Sequence, residues 1–135
     1  MERHRRYNKP LTVVFVDLDR FKHLNDRFGH DAGDRVLRTV GAMLRRHVRE
    51  SDYVIRWGGD EFLLLLTCTV PEAEVKAEEL KVAFSAEREA GGLPAGTGLS
   101  VGVAEVERNA ETLVNAIRLA DTRMYCDKLL ERTQI

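Results

Sequence analysis

Tyr53 to Leu66 reads YVIRWGGDEFLLLL, and this stretch decides the fold. Tyr53 to Trp57 and Glu61 to Leu66 are rich in aromatic, aliphatic and β-branched residues, and Gly58-Gly59-Asp60 between them is a short turn of the kind that closes a hairpin. Two antiparallel neighbours are expected. Upstream, Leu11 to Leu18 (LTVVFVDL) is continuously apolar and ends in acid, the pattern of a fully buried central strand whose carboxylates emerge at its end. Between these strands the spacing predicts a short helical stretch from Arg20 to Phe28 and a second helix capped by Asp31. That second helix runs to about Val48, with Ala32, Val36, Leu37, Val40, Met43 and Leu44 on one face. Downstream, Pro71 opens a third helix through Ala73, Ala77, Leu80 and Phe84, and a glycine loop from Gly91 to Gly98 leads into a strand from Leu99 to Val106. Asn109 then caps a last helix that turns Leu113, Ala116, Ile117, Ala120 and Met124 inward. The order β-α-α-β-β-α-β-α contains the βαββαβ pattern of a ferredoxin-like or palm-type sheet. An α+β domain with helices mainly on one face is the expectation.

The 135 residues suit one domain with a sizeable core. Lys and Arg number 21 against 22 Asp and Glu, so no global basic field points to nucleic acid or to an anionic membrane, and a phosphate site has to be built locally. The longest apolar runs, Leu11 to Val16 and Phe62 to Leu66, are far shorter than the roughly 18 residues of a membrane span. The N-terminal MERHRRYNKP has charge but no apolar region after it, which argues against a secretory signal and for a cytoplasmic setting. Cys68 and Cys126 lack metal-binding spacing and read as reduced thiols rather than zinc ligands.

Four acids are the first candidates for chemistry: Asp17 and Asp19 at the end of the first strand, Asp60 and Glu61 in the hairpin. Strand ends and tight turns of one sheet converge, and magnesium is held by a few hard oxygens together with substrate phosphates. Spacing alone leaves a second reading open, in which acids at strand ends are solvated and acids in turns cap them. Gly58 and Gly59 are equally two-sided. They suit a turn that needs positive φ, and they also let a triphosphate approach the backbone unobstructed.

The longer string RWGGDEFLLLL, together with the upstream VDLDRFKHLNDRFGHDAGDRVL, resembles the GGDEF family of diguanylate cyclases and its DxDxFKxxND…GHxxGDxxL segment; the likeness covers residues 6 to 132. The resemblance implies that Asp17 and Asp60, with the backbone carbonyl of Leu18, hold Mg²⁺ (or Mn²⁺) that bridges GTP phosphates. It implies phosphate contacts from Lys22, a guanine-binding pair in Asn25 and Asp34, a contact from His30 in the GH turn, and Gly58 and Gly59 at the nucleotide. Asp34 argues for GTP over ATP, because a carboxylate accepts from guanine N1–H and its exocyclic amine while adenine offers no such donor pair. Taken singly, Asp34 also suits a helix N-terminus, Asn25 a helix end and His30 a turn. Lys128 and Arg132 sit four apart on the last helix and share a face toward phosphate oxygens, with surface ion pairing as the alternative. There ADTRMYCDKLLERT departs at Asp127, Glu131 and Thr133 from the family's ADxALYxAKxxGRN-like pattern. Arg49 and Asp52 stand where the family places an RxxD inhibitory site for its product, although Arg118 to Asp121 repeats the same spacing.

The resemblance implies a homodimer in which two bound GTP condense to cyclic di-GMP and two pyrophosphates, with Asp60 and Glu61 as the catalytic acids and cyclic di-GMP as product and inhibitor. Residues 1–10 then read as the end of a linker helix leading from an upstream sensor, and 11–135 as the GGDEF domain. The rival reading is a catalytically weak or inactive regulatory module that binds GTP or cyclic di-GMP. A third, an RNA-binding ferredoxin-like domain, lacks both the aromatic strand pattern and the basic surface that class uses, so no nucleic-acid partner and no membrane contact are expected.

Overall fold

The computed structural model describes residues 9–107 and 110–133, and for 110, 111 and 131–133 the backbone alone. The elements follow the expected order: β1 (Leu11–Asp19), α1 (Phe21–Phe28), α2 (His30–Arg46), β2 (Tyr53–Arg56), β3 (Glu61–Leu66), α3 (Val70–Glu89), β4 (Gly98–Val106) and α4 (Ala110–Thr133). The four strands form one antiparallel sheet in the order β2-β3-β1-β4. The β1-to-β2 and β3-to-β4 connections each skip a strand, which is the α+β, ferredoxin-like arrangement that βαββαβ predicts.

β1 is central, and every residue from Thr12 to Leu18 is buried, the apolar Val13 to Val16 and Leu18 together with the polar Thr12 and Asp17. Val14, Val16 and Leu18 face the larger core, where Leu24 of α1, Val36, Leu37 and Val40 of α2, and Leu80 and Phe84 of α3 pack with Phe62 and Leu64. Val13 and Phe15 point the other way, onto Ala116, Ala120 and Met124 of α4 with Leu63 and Ala104. Three helices therefore cover one face and α4 alone covers the other.

Two helix starts differ from the expectation. α2 begins at His30 with Gly29 as its N-cap, and Asp31 lies inside the first turn without capping. The chain must turn sharply between α1 and α2, and Gly29 does this at φ 90°, a conformation that Asp at that point would adopt only with strain. α3 is opened by Thr69: its hydroxyl accepts from the Glu72 amide, the Glu72 carboxylate accepts from the Thr69 amide, and Pro71 follows within the first turn. Asn109, expected as the cap of α4, lies outside the described residues.

The edge strand β4 is tied to α4 by two side chains one turn apart. Arg123 Nη1 donates to the Val103 carbonyl at 2.7 Å, and the Val101 amide donates to Asp127 Oδ2 at 2.8 Å. Lys81 of α3 reaches the same Asp127 oxygen at 2.7 Å, so the helices of the two faces meet around this edge. Edge groups that side chains satisfy in this way are poor templates for another strand. Among the described residues no helix is long and apolar enough to cross a membrane.

Candidate active site

β1 and β3 run antiparallel with Asp17 directly opposite Glu61, and the Leu18 amide donates to the Asp60 carbonyl at 3.0 Å. The end of the central strand and the glycine turn are thereby fixed side by side. The turn is held from within: the Trp57 and Gly58 amides donate to the Glu61 carbonyl, and the Arg56 guanidinium donates to the carbonyls of Gly58 and Gly59. Neither Gly58 nor Gly59 has a positive φ, which corrects the turn-strain expectation. The space around the two differs. A Cβ at Gly58 would lie 2.5 Å from Glu61 Oε1, while one at Gly59 would meet nothing within 4 Å, leaving open approach to that backbone.

Asp17 is 8% exposed. Its Oδ2 pairs with Lys128 Nζ at 2.7 Å, and its Oδ1 is buried with no hydrogen-bond partner. Asp19 Oδ1 accepts from Ser100 Oγ at 2.6 Å and lies 3.5 Å from the same Lys128 ammonium. Burial pushes the Asp17 carboxyl up to about 6, helped by the charges of Asp60 and Glu61 and opposed by Lys128. Glu61 is also raised, by burial first and then by Asp60 and Asp121. Burial works against the charge on Lys128, yet its contacts with Asp17 and Asp19 outweigh that and raise its pKa.

Asn25 on α1 and Gly33 on α2 touch: a Cβ on Gly33 would collide with Asn25 Oδ1 and crowd the Phe21 ring. Asn25 Oδ1 is likewise buried and unpartnered, and Asp34, which follows Gly33 on α2, is exposed. Lys22 and His30 are exposed on α1 and at the start of α2. Arg132 lies in the last turn of α4, but its side chain is outside the described residues. Asp17, Asp19, Asp60, Glu61 and Lys128 are thus brought together, with Asn25 and Asp34 on the adjoining helix pair.

Arg49 and Asp52 lie elsewhere, at the far end of β3 and roughly 20 Å along the strand from Glu61. Asp52 fastens that corner: Oδ2 accepts from the Arg49 amide and Oδ1 from the Thr67 amide, both at 3.0 Å. Sequence reasoning missed Ser100 and Arg56. Ser100 carried a signal, a hydroxyl within the otherwise apolar stretch Leu99 to Ala104 of β4.

Whether these residues suit a divalent cation is answered by their donor set. The acids offer hard oxygens, and the buried, unpartnered Asp17 Oδ1 is the kind of acceptor that a cation satisfies. Among the described residues no group of three or more His, Cys, Asp or Glu could hold a metal by itself. Magnesium sites commonly take one or two carboxylates from the protein and complete the shell with substrate phosphates.

Comparison with known proteins bears on the family. The family model described as "Diguanylate cyclase, GGDEF domain" matches residues 1–134. Diguanylate cyclase TpbB of Pseudomonas aeruginosa is 38% identical over 125 residues, 90% of this chain and 29% of that protein. Diguanylate cyclase DosC of Escherichia coli K12 is 34% identical over 133 residues, 96% of this chain and again 29% of its relative. The chain spans under a third of the length of both. The crystal structure of the TpbB GGDEF domain superposes with TM-score 0.78 at 34% identity, covering 96% of this chain and 82% of that one. The GGDEF domain of DgcB from Caulobacter crescentus, solved with c-di-GMP, has TM-score 0.78 at 25% identity, covering 94% and 77%.

Proposed function

This chain belongs to the GGDEF diguanylate cyclase domain family, and from that premise we propose that it condenses two GTP into cyclic di-GMP and two pyrophosphates. The observation that carries the reading is the buried Asp17 carboxylate with one unpartnered oxygen, set opposite Glu61 beside an open glycine turn. Asp17, the Leu18 carbonyl and Asp60 would hold Mg²⁺ or Mn²⁺. When bound, that ion supplies charge to the phosphates and lowers the pKa of the attacking hydroxyl.

The remaining work belongs to this chain's own side chains. Lys22, Lys128 and Arg132 pair with phosphate oxygens, and the backbone at Gly58 and Gly59 leaves room for them. Asn25 Oδ1 and the Asp34 carboxylate accept from the guanine N–H donors, which adenine cannot supply in that pattern. His30 lies against the nucleotide at the start of α2. Two domains face each other, and the 3′-hydroxyl oxygen of each GTP bonds to the α-phosphorus of the other. The bond from that phosphorus to the bridging oxygen breaks, pyrophosphate leaves, and the hydroxyl proton passes to the hairpin pair Asp60 and Glu61. Holding the reacting atoms in line supplies much of the acceleration. Exposed Tyr53, Ile55 and Trp57, spaced along one face of β2 and leading into the hairpin, give apolar area for that apposition.

Arg49 and Asp52 would take cyclic di-GMP as an inhibitor, with Asp52 already fixed in orientation by two backbone amides. The rival, a binding module without turnover, is motivated by departures in the last helix. Asp127 has a structural role at the β4 edge, so that departure does not count against chemistry. The test is a protein dimerised by fusion, incubated with GTP and Mg²⁺, with cyclic di-GMP and pyrophosphate quantified beside Glu61→Gln. One product per two pyrophosphates, and a large loss in the variant, are expected. Binding of GTP or cyclic di-GMP with product only at background would establish the rival.

A further inference from the structure

The Lys128 ammonium faces two carboxylates. It stands 2.7 Å from Asp17 Oδ2 and 3.5 Å from Asp19 Oδ1, with its side chain 16% exposed and those of the two acids 11% and 17%. We propose that Lys128 and the divalent cation are exchangeable partners of Asp17: the ammonium is a counter-ion belonging to the fold, the cation binds by displacing it, and nucleotide promotes the exchange by offering the released ammonium a phosphate. The proposal rests on reading Asp17 as a cation ligand.

Three features support exchange over a fixed ion pair. Among the described residues the charge is under-compensated, because one ammonium faces Asp17 and Asp19 while Asp60 and Glu61 add negative charge close enough to act on Asp17. Asp17 Oδ1 remains buried and unpartnered, so the pair leaves unsatisfied an acceptor that a dication would engage. The means of movement is also present. Lysine carries its charge on a flexible four-carbon stem, whereas the helix beneath it is clamped to β4 by Arg123 and Asp127. The ammonium can therefore swing without α4 moving.

Such an arrangement couples two ligands. A cation that must evict an ammonium binds weakly alone, and a nucleotide that receives the ammonium makes eviction easier. By linkage the cation favours nucleotide to the same degree.

Mn²⁺ binding to nucleotide-free protein, followed by the electron paramagnetic resonance signal of free Mn²⁺, reads the exchange without turnover. Lys128→Met is expected to tighten Mn²⁺ by about tenfold or more, the scale of one lost charge competitor at a half-buried site. Lys128→Arg, which keeps the competing charge, is expected to show no such gain. Equal or weaker Mn²⁺ binding by Lys128→Met overturns the exchange and leaves the cyclase reading standing. Absence of Mn²⁺ binding in both wild type and Lys128→Met overturns it together with the metal-site assignment. Should Lys128→Met fail to fold, the ¹⁵Nζ resonance of Lys128 in wild type decides. It is expected to shift on saturation with Mg²⁺ alone, and an unmoved resonance overturns the proposal.

Discussion

Asp17→Asn is expected to lower cyclic di-GMP formation by about a hundredfold to a thousandfold while leaving the melting temperature close to that of wild type. The two halves of this result have one cause. Burial pushes the Asp17 carboxyl up to about 6, so the fold bears a charge that its surroundings disfavour. A neutral amide of the same shape removes that cost and forfeits part of the Lys128 ion pair, so the changes in stability oppose each other. Lys128 still has Asp19, itself held by Ser100. In function nothing offsets the loss, because the amide cannot hold a cation against the phosphates, and removing one preorganised electrostatic group typically costs about 10²–10³ in rate. Product quantified from a dimerised protein, alongside a thermal melt, checks both parts. A variant that retains most activity counts against Asp17 as a ligand, and one that unfolds shows that the Lys128 ion pair outweighs the cost of the buried charge.

Gly102→Ala is expected to be the most damaging small substitution in the fold, costing about 3 kcal/mol and lowering the melting temperature by roughly 10 °C. β4 and α4 touch backbone to backbone at this point. A Cβ on Gly102 would run into the Ala120 carbonyl oxygen and the Met124 amide, neither of which is the mobile end of a side chain. The helix has to lift, and it is the only cover that Val13, Phe15, Leu63 and Ala104 have on their face among the described elements. Lifting α4 also disturbs the Arg123 and Asp127 contacts with β4 and draws Lys128 away from Asp17. Thermal unfolding measures the first effect. A melting temperature within two or three degrees of wild type would show that α4 yields at this crossing without losing its grip on the sheet.

Features that depend on local pattern were legible in the sequence. The apolar run of β1 announced a strand buried on both faces, and the hairpin around Gly58 announced its own pairing. Asp17 and Glu61 were readable as acids at neighbouring element ends. Features that depend on how elements meet were not. Gly29 rather than Asp31 starts α2, because the sharp break from α1 needs a backbone conformation that spacing does not reveal. Asp127 looked like a departure from the family pattern, and only the register of α4 against β4 gives it the Val101 amide. The repeated RxxD spacing was ambiguous for the same reason. Asp52 fastens the end of β3, whereas Asp121 acts electrostatically on Glu61 at the opposite end of the strand.

In the function proposed for this domain, the end of β1 and the glycine hairpin together hold a cation-bound guanine nucleotide. Calorimetric titration with α,β-methylene GTP, whose carbon bridge blocks pyrophosphate release, tests this directly. Saturable binding in Mg²⁺ is expected, lost on chelation and weakened at least tenfold in Asp17→Asn. Binding of equal strength with and without Mg²⁺, and equal in the two proteins, would contradict it.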